Sequence, residues 1–264
     1  MHDFTYQKAT SVADAAAKLG AASDGKLLAG GMTLLATMKQ RLASPSDLID
    51  LAKVGELKGI TASGGSITIG AMTTHHEVAN NADVKKSIPA LAKLASGIGD
   101  PAVRYRGTIG GSIANNDPAA DYPAAVVGLN ATVKTNKREI PADQFFKGLF
   151  ETALGDGEIV TAVSFPVLDK AGYQKFPNPA SRFALVGAFV SRKGNDVRVA
   201  VTGAGPCVFR AADIEKALGA KWAPDAADGV TIKSAGLNSD IHASAEYRAH
   251  LVKVMAKRAV AEAG

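Results

Sequence analysis

The chain is poor in cysteine, in aromatic residues and in clustered charge. It has one cysteine, Cys207, and one tryptophan, Trp222, in 264 residues. A single thiol forms no internal disulfide. Alone it cannot hold zinc or an iron–sulfur cluster, which take several protein ligands. Any redox chemistry of this chain is therefore expected to use an organic cofactor, with metal clusters on another chain. No apolar run approaches membrane-spanning length, and the opening "MHDFTYQKAT" lacks the basic-then-apolar profile of a secretion signal. A cytoplasmic location is the expectation. The net charge of +5 is spread along the sequence, with no basic block of the kind that binds nucleic acid. What is present is an ordinary globular composition, 47% hydrophobic and 21% charged, long enough for one large domain or two modest ones.

The first fifty residues read as a compact α/β unit. Ser11 is an N-cap with Asp14 at N3, and Gly20 is the expected stop. Lys26 to Ala29 reads as a short strand ending at Gly30-Gly31, Thr33 to Leu42 as helix, and Asp47 to Leu51 as strand. "GGSITIGAMTT" (Gly64 to Thr74) is a strand-and-turn signal with a helix starting near His75. Ile88 to Gly97 is helical, "AAVVGLNATVKT" runs from helix into strand, and Glu158 to Val167 is a strand. Leu168 to Ala184 reads as a polar, proline-containing bridge, which places a domain boundary near residue 168. Beyond it lie a hairpin turning at Gly194-Asn195 and two amphipathic helices, near Arg210 to Leu218 and Ala243 to Ala263.

Two glycine pairs carry the chemistry. Gly30-Gly31 lies between a strand and a helix, and Gly110-Gly111 sits in "TIGGSIANNDPAADYPA" ahead of a polar loop. Glycine at such turns permits positive φ and lets a ligand approach bare backbone. Successive free N–H groups there cradle anionic oxygens. Two such turns could hold the two phosphates of a dinucleotide, with the Thr33, Thr108 and Ser112 hydroxyls as further donors. The alternative is that each pair is only a tight turn. The P-loop ending Gly-Lys-Ser/Thr and the Gly-x-Gly-x-x-Gly of a Rossmann domain are both absent.

"LAGGMTLLATMKQRL" with "RYRGTIGGSIANNDPAADYPA" resembles the flavin-binding subunit of the xanthine dehydrogenase / carbon monoxide dehydrogenase family of molybdenum hydroxylases. The resemblance extends through "FTYQKATSVADAAAKL", "SITIGAMTTHHEVA", "FPNPASRFALVG" and "DIHASAEYRAHL", essentially the whole chain. It implies an α+β fold. A two-part FAD-binding domain of the vanillyl-alcohol-oxidase (PCMH) type would span 1–168, with subdomains of about 1–55 and 56–168. A smaller C-terminal α/β domain with a three-stranded antiparallel sheet, of the CO dehydrogenase flavoprotein type, would span 169–264.

The resemblance also implies roles. Leu28, Ala29, Gly30, Gly31, Met32, Thr33 and Leu34, with Thr108, Ile109, Gly110, Gly111 and Ser112, would bind the FAD diphosphate. Asp121 matches a position that hydrogen-bonds FAD; from its place alone it would cap the following helix. Ile98 and Val160 match apolar positions near the flavin or its adenine, and would otherwise be simple core. Lys175 matches a lysine at the pyrimidine edge of the flavin, where a cation stabilises the anionic reduced ring. Met32 departs from a position that is often Gln, His or Asn, and Ser112 from a common Asn. His75-His76-Glu77 do not converge as metal ligands and are taken as surface or capping residues. Trp222 and Tyr247 are taken as packing residues, and Cys207 as inert.

Such a subunit does not meet the organic substrate. The resemblance implies a large subunit with a molybdopterin-type molybdenum cofactor and a small subunit with two [2Fe–2S] clusters, assembled as a dimer of heterotrimers. FAD would collect electrons singly from the clusters and pass them to NAD⁺, a quinone or dioxygen. Two rivals are a self-contained FAD oxidoreductase of the same fold, and an assembly subunit without flavin.

Overall fold

Four β-sheets and eleven α-helices surround two hydrophobic cores in the computed structural model, which describes residues 1–264. Strands β1 (Thr5–Lys8), β2 (Gly25–Leu28) and β3 (Asp47–Asp50) form a parallel sheet in the order β1-β3-β2. Helix α1 (Val12–Ala21) starts at Ser11, whose hydroxyl accepts from the Asp14 N–H at 3.0 Å. It runs through Gly20 rather than stopping there. Helix α2 (Leu34–Lys39) follows β2 and buries Met38.

β4 (Ile60–Ser63) and β5 (Ser66–Gly70) form a hairpin through Gly64-Gly65, both at positive φ, 59° and 75°. This is the backbone a two-residue hairpin turn requires. Six helices follow: α3 (His75–Asn80), α4 (Ala82–Ser87), α5 (Pro89–Ser96), α6 (Pro101–Arg106), α7 (Ile109–Asn115) and α8 (Tyr122–Gly128). α3 opens with a capping box, the Thr74 N–H donating to Glu77 Oε2 at 2.7 Å and the Glu77 N–H to Thr74 Oγ1 at 3.2 Å. α5 and α6 each carry proline at N1, where its missing N–H costs nothing. After β6 (Thr132–Thr135), β7 (Glu139–Pro141), α9 (Ala142–Phe145) and the small hairpin β8 (Phe146–Gly148) and β9 (Glu151–Thr152), strand β10 (Val160–Pro166) returns. It closes an antiparallel sheet in the order β4-β5-β10-β6-β7.

The last sheet holds β11 (Lys170–Pro177), β12 (Ala184–Lys193), β13 (Asp196–Thr202) and β14 (Phe209–Arg210), in that order and antiparallel. About the first half of the expected polar bridge is therefore a strand. β11 pairs with β12 from Lys170↔Arg192 to Phe176↔Val186 without a break. Local polarity hid it, because only Gly172 and Tyr173 of its eight residues are buried. The sheet has four strands instead of three, the fourth being two residues long. The β12–β13 hairpin turns at Gly194-Asn195 as expected. Helix α10 (Ala212–Ala220) packs on β13, and α11 (Ala245–Ala263) lies across β11 and β12. α11 buries Leu251, Val252, Met255, Ala256, Ala259 and Val260. Trp222 packs against this second core, and its Nε1–H donates to the Gly264 carbonyl at 3.0 Å. Tyr247 is 44% exposed, with its edge against Phe176. No helix is long and apolar enough to cross a membrane.

The last sheet is joined to the preceding helices through the end of α8. Ser191 Oγ donates to the Gly128 carbonyl at 2.6 Å, and Arg198 Nε to the Val127 carbonyl at 2.8 Å, satisfying acceptors a helix end leaves open. The fully buried ring of Phe189 fills the space beside Gly128 and belongs to the larger core. Phe189→Ala is expected to cost roughly 3–5 kcal/mol of unfolding free energy, the usual loss for a buried phenylalanine. Urea unfolding measures it; a loss below about 1 kcal/mol would mean this contact does not hold the two parts together.

Candidate functional site

Between the end of β2 and the start of α2 the chain leaves its peptide groups free. The N–H groups of Ala29, Gly30, Gly31, Met32, Thr33 and Leu34 donate to no acceptor within the protein. Gly31 takes φ +75°, which a side chain rarely adopts, and the segment is half-buried except at Met32 and Thr33, which are exposed. A run of unpaired donors of this kind suits an anion.

The second glycine pair differs from its expected form. It is not a turn but the first turn of α7, and its donors are spent. The Ile109 N–H goes to the Thr73 carbonyl at 3.1 Å, and Gly110 to Ala71 at 2.9 Å. Gly111 donates to Thr108 Oγ1 at 3.2 Å, and Ser112 to the Thr108 carbonyl at 3.0 Å. Thr108 thus serves as an N-cap acceptor. Gly110 is glycine because a Cβ there would lie 2.5 Å from that of Ala71. The free N–H groups expected from both turns come from the first one only; the second is a rigid wall bolted to residues 71–75.

The two segments face each other. A Cβ on Gly30 would overlap the Arg106 carbonyl oxygen and stand 2.9 Å from the Gly107 Cα, and one on Gly111 would lie 3.5 Å from the Ala29 Cβ. Below this junction sits His75, 5% exposed, whose N–H donates to the Gly107 carbonyl at 2.9 Å. Its Nε2 would be 2.5 Å from a Cβ on Gly107. His75 is therefore a buried support, not a surface residue. His76 stacks on Tyr105 at 4.0 Å and Glu77 caps α3, so the three side chains diverge. His75 was missed because neighbouring polar residues mask a single inward position.

Asp121, Lys175 and Tyr173 meet at the start of α8. Lys175 Nζ stands 3.0 and 3.1 Å from the two Asp121 oxygens and donates to the Gly97 carbonyl at 2.8 Å. Tyr173 Oη donates to Asp121 Oδ1 at 2.5 Å. Asp121 is at the N-cap position but its side chain makes no cap bond; the carboxylate turns to β11 instead. Burial pushes its pKa up, against the opposing pull of Lys175 and Tyr173. The Tyr173 hydroxyl, buried and beside that carboxylate, is raised well above its ordinary value. Tyr173 carried no sequence signal because its strand was read as bridge. The Tyr173-x-Lys175 alternation is the clue that could have revealed it.

Ile98, half-buried, follows the Gly97 that Lys175 binds, and its carbonyl accepts from Arg104 Nη1 at 3.0 Å. Val160 is buried in β10; the next carbonyl, of Thr161, accepts from Ala71, the residue against Gly110. Cys207 lies half-buried, 3.5 Å from Asn116 Nδ2. A groove of about 610 Å³ includes His76, Lys93, Arg104 and Tyr105, and one of about 340 Å³ lies near Ser191. Neither is lined by a glycine of either pair.

A chain with a donor-lined glycine segment in its first part and a separate sheet-and-helix unit after it matches known proteins along its length. Residues 2–168 match the family described as the FAD binding domain in molybdopterin dehydrogenase, and residues 171–263 the CO dehydrogenase flavoprotein C-terminal domain. The chain belongs to this family of FAD-binding subunits. It is 36% identical to the glyceraldehyde dehydrogenase medium chain of Sulfolobus acidocaldarius, over 98% of each chain. It is also 36% identical to the nicotine 6-hydroxylase medium subunit of Paenarthrobacter nicotinovorans, over 98% of this chain and 96% of that one. The structure is similar to reconstituted CO dehydrogenase from Oligotropha carboxidovorans, with a TM-score of 0.90 and 32% identity, covering 99% of this chain and 97% of that one.

Burial, with a smaller repulsion from Arg104, lowers the His75 pKa from 6.5 to about 4. The unfolded chain binds this proton at higher pH than the folded one. The support is thus complete above about pH 6.5 and is lost as pH falls towards 4, a change on the order of 3 kcal/mol. His75→Phe is expected to flatten that part of the pH dependence of urea unfolding; an unchanged slope would show that His75 titrates freely in the fold.

Proposed function

We propose that this chain is the flavoprotein subunit of a molybdenum hydroxylase complex, with FAD held between the Ala29–Leu34 segment and the start of α7. The observation that carries this is the run of unpaired N–H groups facing the second glycine pair. FAD fits on that ground: a diphosphate supplies the acceptors that the segment lacks, and Gly111 puts no side chain in its approach. Ser112 Oγ, with no partner in the chain, adds a donor beside them. Met32 and Thr33 are exposed at the mouth, so the loss of a longer polar side chain at Met32 leaves the backbone donors intact. When bound, FAD supplies one- and two-electron transfer in a single ring. The residues of this chain bind and orient it, with Ile98 and Val160 as apolar walls and Lys175 at the pyrimidine edge.

In the full scheme, electrons released by substrate hydroxylation at a molybdopterin centre on a large subunit pass through [2Fe–2S] clusters of a small subunit to FAD. They leave to NAD⁺, a quinone or dioxygen. The complex is proposed as a cytoplasmic dimer of heterotrimers. The chain divides near residue 168 into a PCMH-type FAD domain and a C-terminal domain, a division that the two hydrophobic cores support. Relatives of equal identity are named for glyceraldehyde and nicotine, so substrate choice is assigned to the large subunit.

Gly111→Val tests the site. Its added atoms enter the space between the segments, while the built Cβ meets nothing closer than Thr108 Oγ1 at 3.0 Å. FAD affinity is expected to fall at least about tenfold, some 1.4 kcal/mol, with circular dichroism unchanged. Unaltered flavin content in the purified variant complex would overturn the placement.

A further inference from the structure

Asp121 is 4% exposed, so water does not solvate its carboxylate and its charge depends on the donors around it. Both side-chain donors come from one strand. Tyr173 and Lys175 stand two residues apart on β11, hence on one face, and both reach Asp121 across the junction between the last sheet and α8. The Tyr173 ring is fixed against Phe189, with centroids 6.0 Å apart. Its hydroxyl abuts Gly187, where a Cβ would stand 2.6 Å away. Its one hydrogen-bond partner is Asp121 Oδ1. The Lys175 ammonium donates to Asp121 Oδ2 and to the Gly97 carbonyl and stands 3.0 Å from Asp121 Oδ1. The charge that it brings to a neighbouring ring is offset by Asp121.

We propose that Tyr173 is a positioning residue: its hydroxyl holds the Asp121 carboxylate on the Lys175 ammonium, and so sets the net charge this junction presents to the flavin. This rests on the proposed place of Lys175 beside the ring. Without the hydroxyl, a buried carboxylate keeps a single side-chain partner and burial favours its neutral form. The lysine is then left as a less compensated cation. A less compensated cation favours the reduced, more negative flavin. Tyr173→Phe keeps the ring and removes only the donor.

The test is a redox titration of the FAD midpoint potential in the assembled complex carrying its partner subunits. Tyr173→Phe is expected to raise the potential, in the same direction as Asp121→Asn, while Lys175→Met lowers it. The double variant Tyr173→Phe/Asp121→Asn should match Asp121→Asn alone, because the hydroxyl acts only through that carboxylate. A purely space-filling tyrosine would leave the potential of the phenylalanine variant at the wild-type value, and that result overturns the proposal. So does a downward shift, a further shift on the asparagine background, or loss of FAD from Tyr173→Phe at unchanged thermal stability. Should Tyr173→Phe not assemble, an unchanged potential in Asp121→Asn overturns it instead. Failure of the underlying reading looks different: with FAD retained, Lys175→Met would then leave the potential unmoved.

Discussion

A peptide N–H without an acceptor is tolerated beside a protein core only where water or a ligand can reach it. Residues 29–34 place six such groups in succession, and much of the surrounding structure serves to keep them that way. Gly30 has no side chain, so the backbone at Arg106–Gly107 closes against it instead of pairing with it. The facing helix α7 consumes its own early donors on Thr73, Ala71 and the Thr108 cap. It thereby becomes an unmoving wall without competing for an anion. One segment leaves its donors free and the other spends its own, an asymmetry that two similar Gly-Gly pairs do not announce.

The same division of labour runs through the side chains beneath. His75 and Thr74 fix the Gly107–Thr108 backbone from α3, one by packing and one through a bridge between Thr74 and Thr108. Asp121 is a carboxylate removed from water. Such a group is stable only when well bonded, and its stability is then sensitive to the loss of any one donor. Because those donors come from β11, the start of α8 and the placement of the last sheet are coupled. The joint at Gly128, Ser191 and Phe189 ties the same sheet to the far end of α8.

Substrate diversity among the relatives fits a chain built in this way. In the proposed scheme none of these residues meets the substrate, so one arrangement of them would suit relatives named for glyceraldehyde, for nicotine and for carbon monoxide alike.

Local chemistry was enough to place much of the architecture. The Ser11 cap, the turn at Gly194-Asn195, the strand before Gly30 and the helix after Thr33 all follow from short-range rules, and they are where those rules put them. The sequence alone also established the pairing of glycine segments that carries the family likeness, because a missing Cβ is visible residue by residue. What needed the tertiary structure were facts about partners. Whether the N–H groups of Ile109 and Gly110 are free depends on the Thr73 and Ala71 carbonyls, which the fold brings over from outside the helix. Whether Lys175 is a lone cation depends on Asp121, 54 residues away. β11 is a strand only because β12 lies beside it, and His75 is buried only because Gly107 closes over it. Propensity and caps act over a few residues and can be read along the chain, whereas the state of a donor or a charge is set by whatever the fold brings against it.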